Sequence, residues 1–260
     1  MDLGLKNKVA LITGASRGIG RSIALRLAEE GMAIAICARS ADRLESLANE
    51  VRSSGGQVLV HAADLRESDV PGQFVDAAKR QFGRIHLVVN NAGATRRGDF
   101  LHLTESDWTD GYALKFFGAM RLCRAAWAEL RTTHGNIVNI AGVGGRTGSA
   151  EFSIGGTVNA ALLNLTKCLA DRGVKDGVRV NAITPGYIVT DRLTLRFEKL
   201  AKEHGITIDE ARKTMAEQTA VARFGTTEEI SDAVAFLASD RAAYMQGAII
   251  DVDGGMTRTL

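Results

Sequence analysis

Eight residues near the amino terminus, Thr13-Gly14-Ala15-Ser16-Arg17-Gly18-Ile19-Gly20, have the composition and spacing of a phosphate cradle. Glycines there permit a tight turn and close backbone approach to a pyrophosphate, whose charge meets the free N–H groups of a helix starting at that point. The flanks supply the context that such a pattern needs: the apolar run Val9 to Thr13 precedes it and the amphipathic stretch RSIALRLAEEG follows. A second phosphate-directed feature closes the next apolar run, Cys37-Ala38-Arg39-Ser40. Sites that choose NAD place an Asp or Glu there to bind the ribose diol, and this chain has none. Arg39, with Arg17, instead offers guanidinium groups to a 2'-phosphate. The pattern predicts NADP(H) rather than NAD(H); two surface arginines without a ligand are the competing reading, weakened because both sit at the phosphate end.

The elements that must hold such a cradle are visible in the hydropathy pattern. Val9 to Thr13, Ala33 to Ala38, Val58 to Ala62, His86 to Asn91, Asn136 to Ala141, Val178 to Ile183 and Ala248 to Val252 read as seven strands. Their near-continuous apolar character fits strands covered on both faces, and amphipathic stretches ending on glycine lie between them. The alternation predicts an α/β fold, one doubly wound Rossmann domain spanning 1–260, with a seven-stranded parallel sheet and helices on both faces. With 260 residues, 45% hydrophobic and 24% charged, the chain can bury a full core, and its net charge of +2 argues against nucleic acid or a membrane surface as partner. No signal-peptide pattern opens the chain and no apolar run approaches the roughly 20 residues of a membrane span. Cys37, Cys123 and Cys168 lie widely spaced in apolar segments, predicting buried thiols in a reduced, cytoplasmic setting. The five histidines have no metal-ligand spacing.

TGASRGIG, Asp64-Leu65 after the third strand, Asn90-Asn91-Ala92-Gly93 after the fourth and Asn181-Ala182-Ile183-Thr184-Pro185-Gly186 after the sixth occur in order. Together they resemble the short-chain dehydrogenase/reductase family, nearest its 3-oxoacyl-[acyl-carrier-protein] reductase branch, and the resemblance runs through Val252-Asp253-Gly254-Gly255. It implies that Gly14, Ser16, Arg17, Gly18, Ile19, Gly20 and Arg39 hold the adenosine and phosphates. It also implies that Asp64 and Leu65 contact the adenine, that Asn91, Ala92 and Gly93 line the cofactor cleft, and that Pro185, Gly186 and Ile188 hold the nicotinamide carboxamide. Homotetramers or dimers, pairing through the helices after the fourth and fifth strands and the last strand, are implied as well.

The family's catalytic tetrad is Asn, Ser, Tyr and Lys: the Tyr hydroxyl transfers a proton as hydride moves, a nearby ammonium lowers its pKa, and the Ser hydroxyl holds the substrate oxygen. Aligning Thr166 to Ala170 and Val180-Asn181 without a gap puts Gly155 at the Tyr position and Asn159 at the Lys position, where Asn159 also borders the cofactor. The end of the fifth strand puts Gly142 at the Ser position, and Gly93 with Trp108 place Lys115 at the Asn position, the stretch from Lys115 to Gly142 being one residue short. All four have changed, and Lys and Asn have exchanged places. Loss of the Tyr predicts an open space beside the nicotinamide in the helix AEFSIGGTVNAALLNLTKCLA, whose paired glycines cost about 1 kcal/mol each against alanine.

Lys115 is therefore the candidate catalytic group, binding ribose hydroxyls or a substrate carboxylate or acting as an acid if burial lowers its pKa. The alternative is a cation reaching solvent or an acid such as Asp110 or Glu151. Tyr112, three residues before Lys115, and Tyr187 are weaker hydroxyl candidates, a packed tyrosine being the favoured reading of both, and Ser149, Glu151 and Ser153 could line the pocket. The charged helical excursion 189–225 follows a strand end, where lids form, although two surface helices against a neighbouring subunit fit equally. Two functions remain open: an NADP(H)-dependent oxidoreductase acting on a carbonyl-type substrate through an altered site, or a non-catalytic NADP(H)-binding protein that senses cofactor or partners an active oligomer.

Overall fold

The near-continuous apolar runs have a structural cause in the computed structural model, which describes residues 1–258. The strands are β1 Val9–Thr13, β2 Ala33–Ala38, β3 Val58–Ala62, β4 Leu87–Asn90, β5 Asn136–Ile140, β6 Arg179–Pro185 and β7 Ile249–Val252. All pair in parallel, in the order β3-β2-β1-β4-β5-β6-β7. Successive side chains of a strand point to opposite faces. Ala10, Ile12, Ile34, Ile36, Leu87 and Val89 accordingly enter one buried cluster, and Val9, Leu11, Ala35, Cys37 and Val88 enter another. With helices on both faces, apolar residues are required at every position of a central strand.

Between the strands run α1 Gly18–Glu29, α2 Ala41–Ser53, α3 Val70–Phe82, α4 Glu105–Tyr112, α5 Gly118–Thr133, α6 Ser153–Asp176, α7 Asp191–His204, α8 Ile208–Gln218 and α9 Thr227–Ala238. The buried stripes of α1, α2 and α9, including Ile23, Leu27, Leu44, Leu47, Ile230 and Val234, cover the first face. Those of α3, α5 and α6, including Phe74, Leu122, Leu130 and Ala170, cover the second. The expected seven-stranded doubly wound fold is the one observed. Strand ends shift by one or two residues; β6 runs on to Pro185 because its last four residues pair with β7.

Connections after β1 and after β4 leave on opposite faces of the sheet, opening a crevice between the ends of these adjacent strands. The Thr13 hydroxyl accepts the Asn91 and Ala92 N–H groups at 3.0 Å each, and the Asn91 amide donates to the carbonyls of Thr13 at 3.0 Å and Gly14 at 3.2 Å. A buried ladder fixes the opposite wall. Asn90 donates to Asn139 at 2.8 Å, Asn139 to the Thr166 hydroxyl at 2.8 Å, and that hydroxyl to Leu162 O at 2.8 Å, tying β4, β5 and α6 together.

The stretch 189–225 is helical as its sequence predicts. α7 and α8 close on a small core of their own, with Leu193, Phe197, Met215 and Phe224 buried together. Cys37 and Cys123 are buried, but Cys168 is exposed on α6, correcting the expectation of three buried thiols: its neighbours in sequence are apolar, while its own position faces outward. No cluster able to hold a metal occurs among the described residues, and none of their helices is long and apolar enough to cross a membrane.

Candidate active site

The cleft at the strand ends has a volume of about 1040 Å³, above the roughly 300–1,000 Å³ of a drug-sized ligand site. An extended ligand and a small one can therefore share it. Every residue that the sequence assigns to cofactor contact, from Gly14 to Ile188, lines this one cleft.

At its phosphate end the chain turns through Gly14 at φ +67°, where an added Cβ would lie 2.9 Å from Ala92 Cα, so neither the conformation nor the space suits a larger residue. No side chain caps α1 and its first turn holds no acidic residue, leaving its N–H groups free for an anion. Arg17 and Arg39 are exposed at this end, each with a single carboxylate at 3.9 Å, Asp191 and Asp64 respectively. Arg43 from the first turn of α2 lines the same mouth. It follows Arg39 by four residues, across the junction of β2 and α2. Asp64 accepts the Arg66 N–H at 3.0 Å, which fixes the carboxylate at the end of β3.

The chemistry end is built differently from expectation. Lys115 sits in a π-helical turn, Ala113–Phe117, between α4 and α5. Its chain crosses Gly93 so closely that a Cβ there would stand 2.9 Å from Lys115 Cδ. The Nζ donates to the Ala141 carbonyl at 2.6 Å. Burial, followed by the positive charge of Arg192, lowers its pKa to about 7. Neither Asp110 nor Glu151 pairs with it; Asp110 is taken by Arg66 at 3.0 Å. Tyr112 lies outside the cleft lining and packs edge-on against Phe116, because the π turn breaks the three-residue spacing that would have aligned it with Lys115.

On the facing side, Asn159 is 2% exposed, and a Cβ at Gly142 would lie 3.0 Å from its Nδ2. Its Oδ1 is buried without a hydrogen-bond partner. Lys115 and Asn159 thus flank the same Ala141-Gly142 segment from two helices. Gly155 does not line the cleft, and the space expected beside it is filled. A Cβ at Gly155 would lie 2.0 Å from Cζ of Phe152, whose ring covers the helix there and borders the cleft. Arg97 stacks over that ring with its Cζ 4.0 Å from the centroid. Ser149 and Tyr187 line the cleft, whereas Glu151 and Ser153 do not.

A family model described as Enoyl-(Acyl carrier protein) reductase matches residues 14–257. The 3-oxoacyl-[acyl-carrier-protein] reductase of Staphylococcus epidermidis is 35% identical over 252 residues, 96% of this chain and 99% of that protein. The corresponding reductase of Aquifex aeolicus is 34% identical over 260 residues, 98% of this chain and all of that one. The chain belongs to the short-chain dehydrogenase/reductase family. Among solved structures of that fold, the L-sorbose reductase of Gluconobacter frateurii, complexed with NADPH and L-sorbose, is 33% identical with a TM-score of 0.96, each chain covering the other completely.

Family membership makes the side-chain content of the chemistry end its informative part. Phe152, Arg97, Arg192 and Arg196 all line the cleft, and the sequence reading singled out none of them. Arg192, the second residue of α7, donates to Gly93 O at 3.2 Å, and Arg196, one turn later, lies over the Tyr187 ring at 4.8 Å. These arginines and Lys115, four basic side chains, therefore line this cleft. With its pKa near neutrality, Lys115 Nζ is equipped to hold or release a proton there.

Proposed function

We propose that this chain is an NADP(H)-dependent oxidoreductase of carbonyl-type small molecules in which Lys115 transfers the proton that the family's tyrosine ordinarily transfers. The observation carrying the reading is the Lys115 amine, held at the junction of β4 and β5 with its pKa drawn down to about 7. The cleft suits the dinucleotide on structural grounds of its own. It has a backbone cradle at Gly14, an uncapped α1 amino terminus, unsaturated guanidinium groups at Arg17, Arg39 and Arg43, and an unpartnered acceptor at Asn159 Oδ1. The bound cofactor supplies hydride chemistry.

The chain's residues divide the remaining work. The α1 N–H groups receive the pyrophosphate, Arg39 and Arg17 the 2'-phosphate, and Asn159 Oδ1 a ribose hydroxyl. Pro185, Gly186 and Ile188 hold the carboxamide edge. Lys115 Nζ gives its proton to the carbonyl oxygen during reduction and takes it back in oxidation. Reduction therefore slows as pH rises through about 7, where Lys115 loses its proton. Screening a carbonyl panel with NADPH, wild type against Lys115→Met, tests this; wild-type rates in the variant would remove the lysine from the mechanism.

A second reading has one observation in its favour: Phe152 occupies the place beside Gly155 and supplies no hydroxyl. On that reading the chain binds NADP(H) without turnover, as a sensor or oligomer partner, and no substrate is consumed by purified protein. Under either reading we take the chain as a single dinucleotide-binding domain with 189–225 as a lid, supported by Thr190, Leu193 and Arg196 lining the cleft. We also take it to form a homo-oligomer, supported by the exposed apolar Phe117 beside α5 and Val174 on α6.

A further inference from the structure

We propose that the wall of the cleft formed by Arg97, Arg192 and Arg196 is an anion-recognition subsite, so that the small-molecule substrate carries a carboxylate or phosphate group. The inference rests on the oxidoreductase reading and narrows its substrate class. Three guanidinium groups reach the cleft from two segments far apart in sequence, the loop after β4 and the start of α7. Two of them lie over rings, the Cζ of Arg97 4.0 Å from the centroid of Phe152 and that of Arg196 4.8 Å from the centroid of Tyr187. Contact of this kind orients the planar fork and leaves its N–H edges free for bidentate contact with an oxyanion.

These arginines differ from Arg66 and Arg223 in what balances their charge. Arg66 pairs with Asp64 and Asp110, and Arg223 with Glu229. Among the described residues no carboxylate lies within ion-pair distance of Arg97, Arg192 or Arg196. Glu151 and Tyr187 are the groups whose charge favours the Arg97 cation, while Arg196 and Arg192 oppose it. Burial first, and then the mutual repulsion, holds Arg97 below the usual guanidinium range; burial and Arg17 do the same to Arg192. A fold that gathers uncompensated cations in one pocket bears a standing cost that an anionic ligand relieves.

The subsite is distinct from the phosphate end. Arg97 lies over the ring covering Gly155 on α6, whereas the cradle and Arg39 belong to the β1–α1 and β2–α2 junctions. Arg192 faces Arg17 as well as the inner cluster, so the decisive positions are Arg97 and Arg196.

The test uses the whole protein saturated with NADP+, so that the phosphate end is filled, and three ketones of three carbons each: hydroxyacetone, pyruvate and dihydroxyacetone phosphate. Calorimetric titration should show pyruvate or the phosphate ester binding at least about tenfold more tightly than hydroxyacetone. Whichever binds better identifies the headgroup. In Arg97→Gln and in Arg196→Gln that preference should shrink by about tenfold while NADP+ affinity holds. Equal binding of the three probes, or a preference unchanged in both variants, overturns the subsite. Failure of NADP+ itself to bind overturns the oxidoreductase reading instead.

Discussion

The two ends of the cleft are held by different parts of the chain. At the phosphate end recognition is carried by backbone: a turn at Gly14, the free N–H groups of α1, and strand ends braced by Thr13 and Asn91. At the other end the backbone frame persists, with α6 running unbroken from Ser153 to Asp176, and on the proposed reading the work falls to side chains, with Lys115 on a neighbouring helical segment in place of groups on α6. Backbone sites tolerate little change because the turn and the close approach are fixed by geometry. A side-chain function needs only an atom at the right place, and Lys115 from the π turn reaches the segment that Asn159 also borders. The sharpest test of this contrast is Lys115→Met. It should lower turnover by about 10²- to 10⁴-fold, the usual worth of a positioned acid, with NADPH affinity nearly unchanged, as read by steady-state kinetics beside a cofactor titration. Equal losses in both would mean that the two ends are not separable.

A second test asks whether the family's own constellation can be put back. Lys115→Asn, Gly142→Ser, Gly155→Tyr and Asn159→Lys together should destabilise the fold by about 1–3 kcal/mol, the cost of overpacking. The reasons are Phe152, whose ring lies 2.0 Å from any Cβ at Gly155, and Gly142, whose φ of +147° strains a serine. Adding Phe152→Ala should recover the part of the melting temperature lost to the ring and allow the tyrosine to reach the cleft. If the fourfold variant melts like wild type, the ring is free to swing aside and the position is less closed than its packing indicates.

The phosphate end was legible in the sequence because its determinants are contiguous: a glycine pattern between a strand and a helix, and an arginine at the end of the next strand. The tetrad replacement that we propose rests on a register set by flanking motifs, which are themselves contiguous in the sequence. What fills the space beside Gly155 was not legible. Phe152 acts on Gly155 through ring packing across the start of a helix, which no periodicity encodes. Arg97 and Arg196 meet through the tertiary fold, about 100 residues apart in the chain. Tyr112 is packed, the state its sequence context favours, because the π turn at Ala113–Phe117 interrupts the α-helical ladder that would have set it on the face of Lys115. Arg39 offers a check on the legible half. Arg39→Gln should weaken NADPH binding about tenfold and leave NADH nearly unchanged, measured by titration with each cofactor. Equal weakening of both would remove the 2'-phosphate from its role.

The smallest expected effect distinguishes a side chain placed for chemistry from one placed for stability. Lys115 has its folded-state pKa lowered to about 7, below the ordinary lysine value it regains on unfolding. Between those two values the unfolded chain binds more protons, so the native state gains stability as pH rises. The burden of holding Lys115 charged is fully present below about 7 and is relieved as pH climbs towards the unfolded value. Lys115→Met removes that burden. In the cofactor-free protein it should therefore raise stability by about 1 kcal/mol at pH 6, the cleft water screening the remainder, and the advantage should fade by pH 10. Thermal unfolding of both proteins across that range reads the difference directly. A variant less stable than wild type at pH 6 would show that the hydrogen bond to Ala141 outweighs the buried charge, and the lysine would then belong to the scaffold as much as to the site.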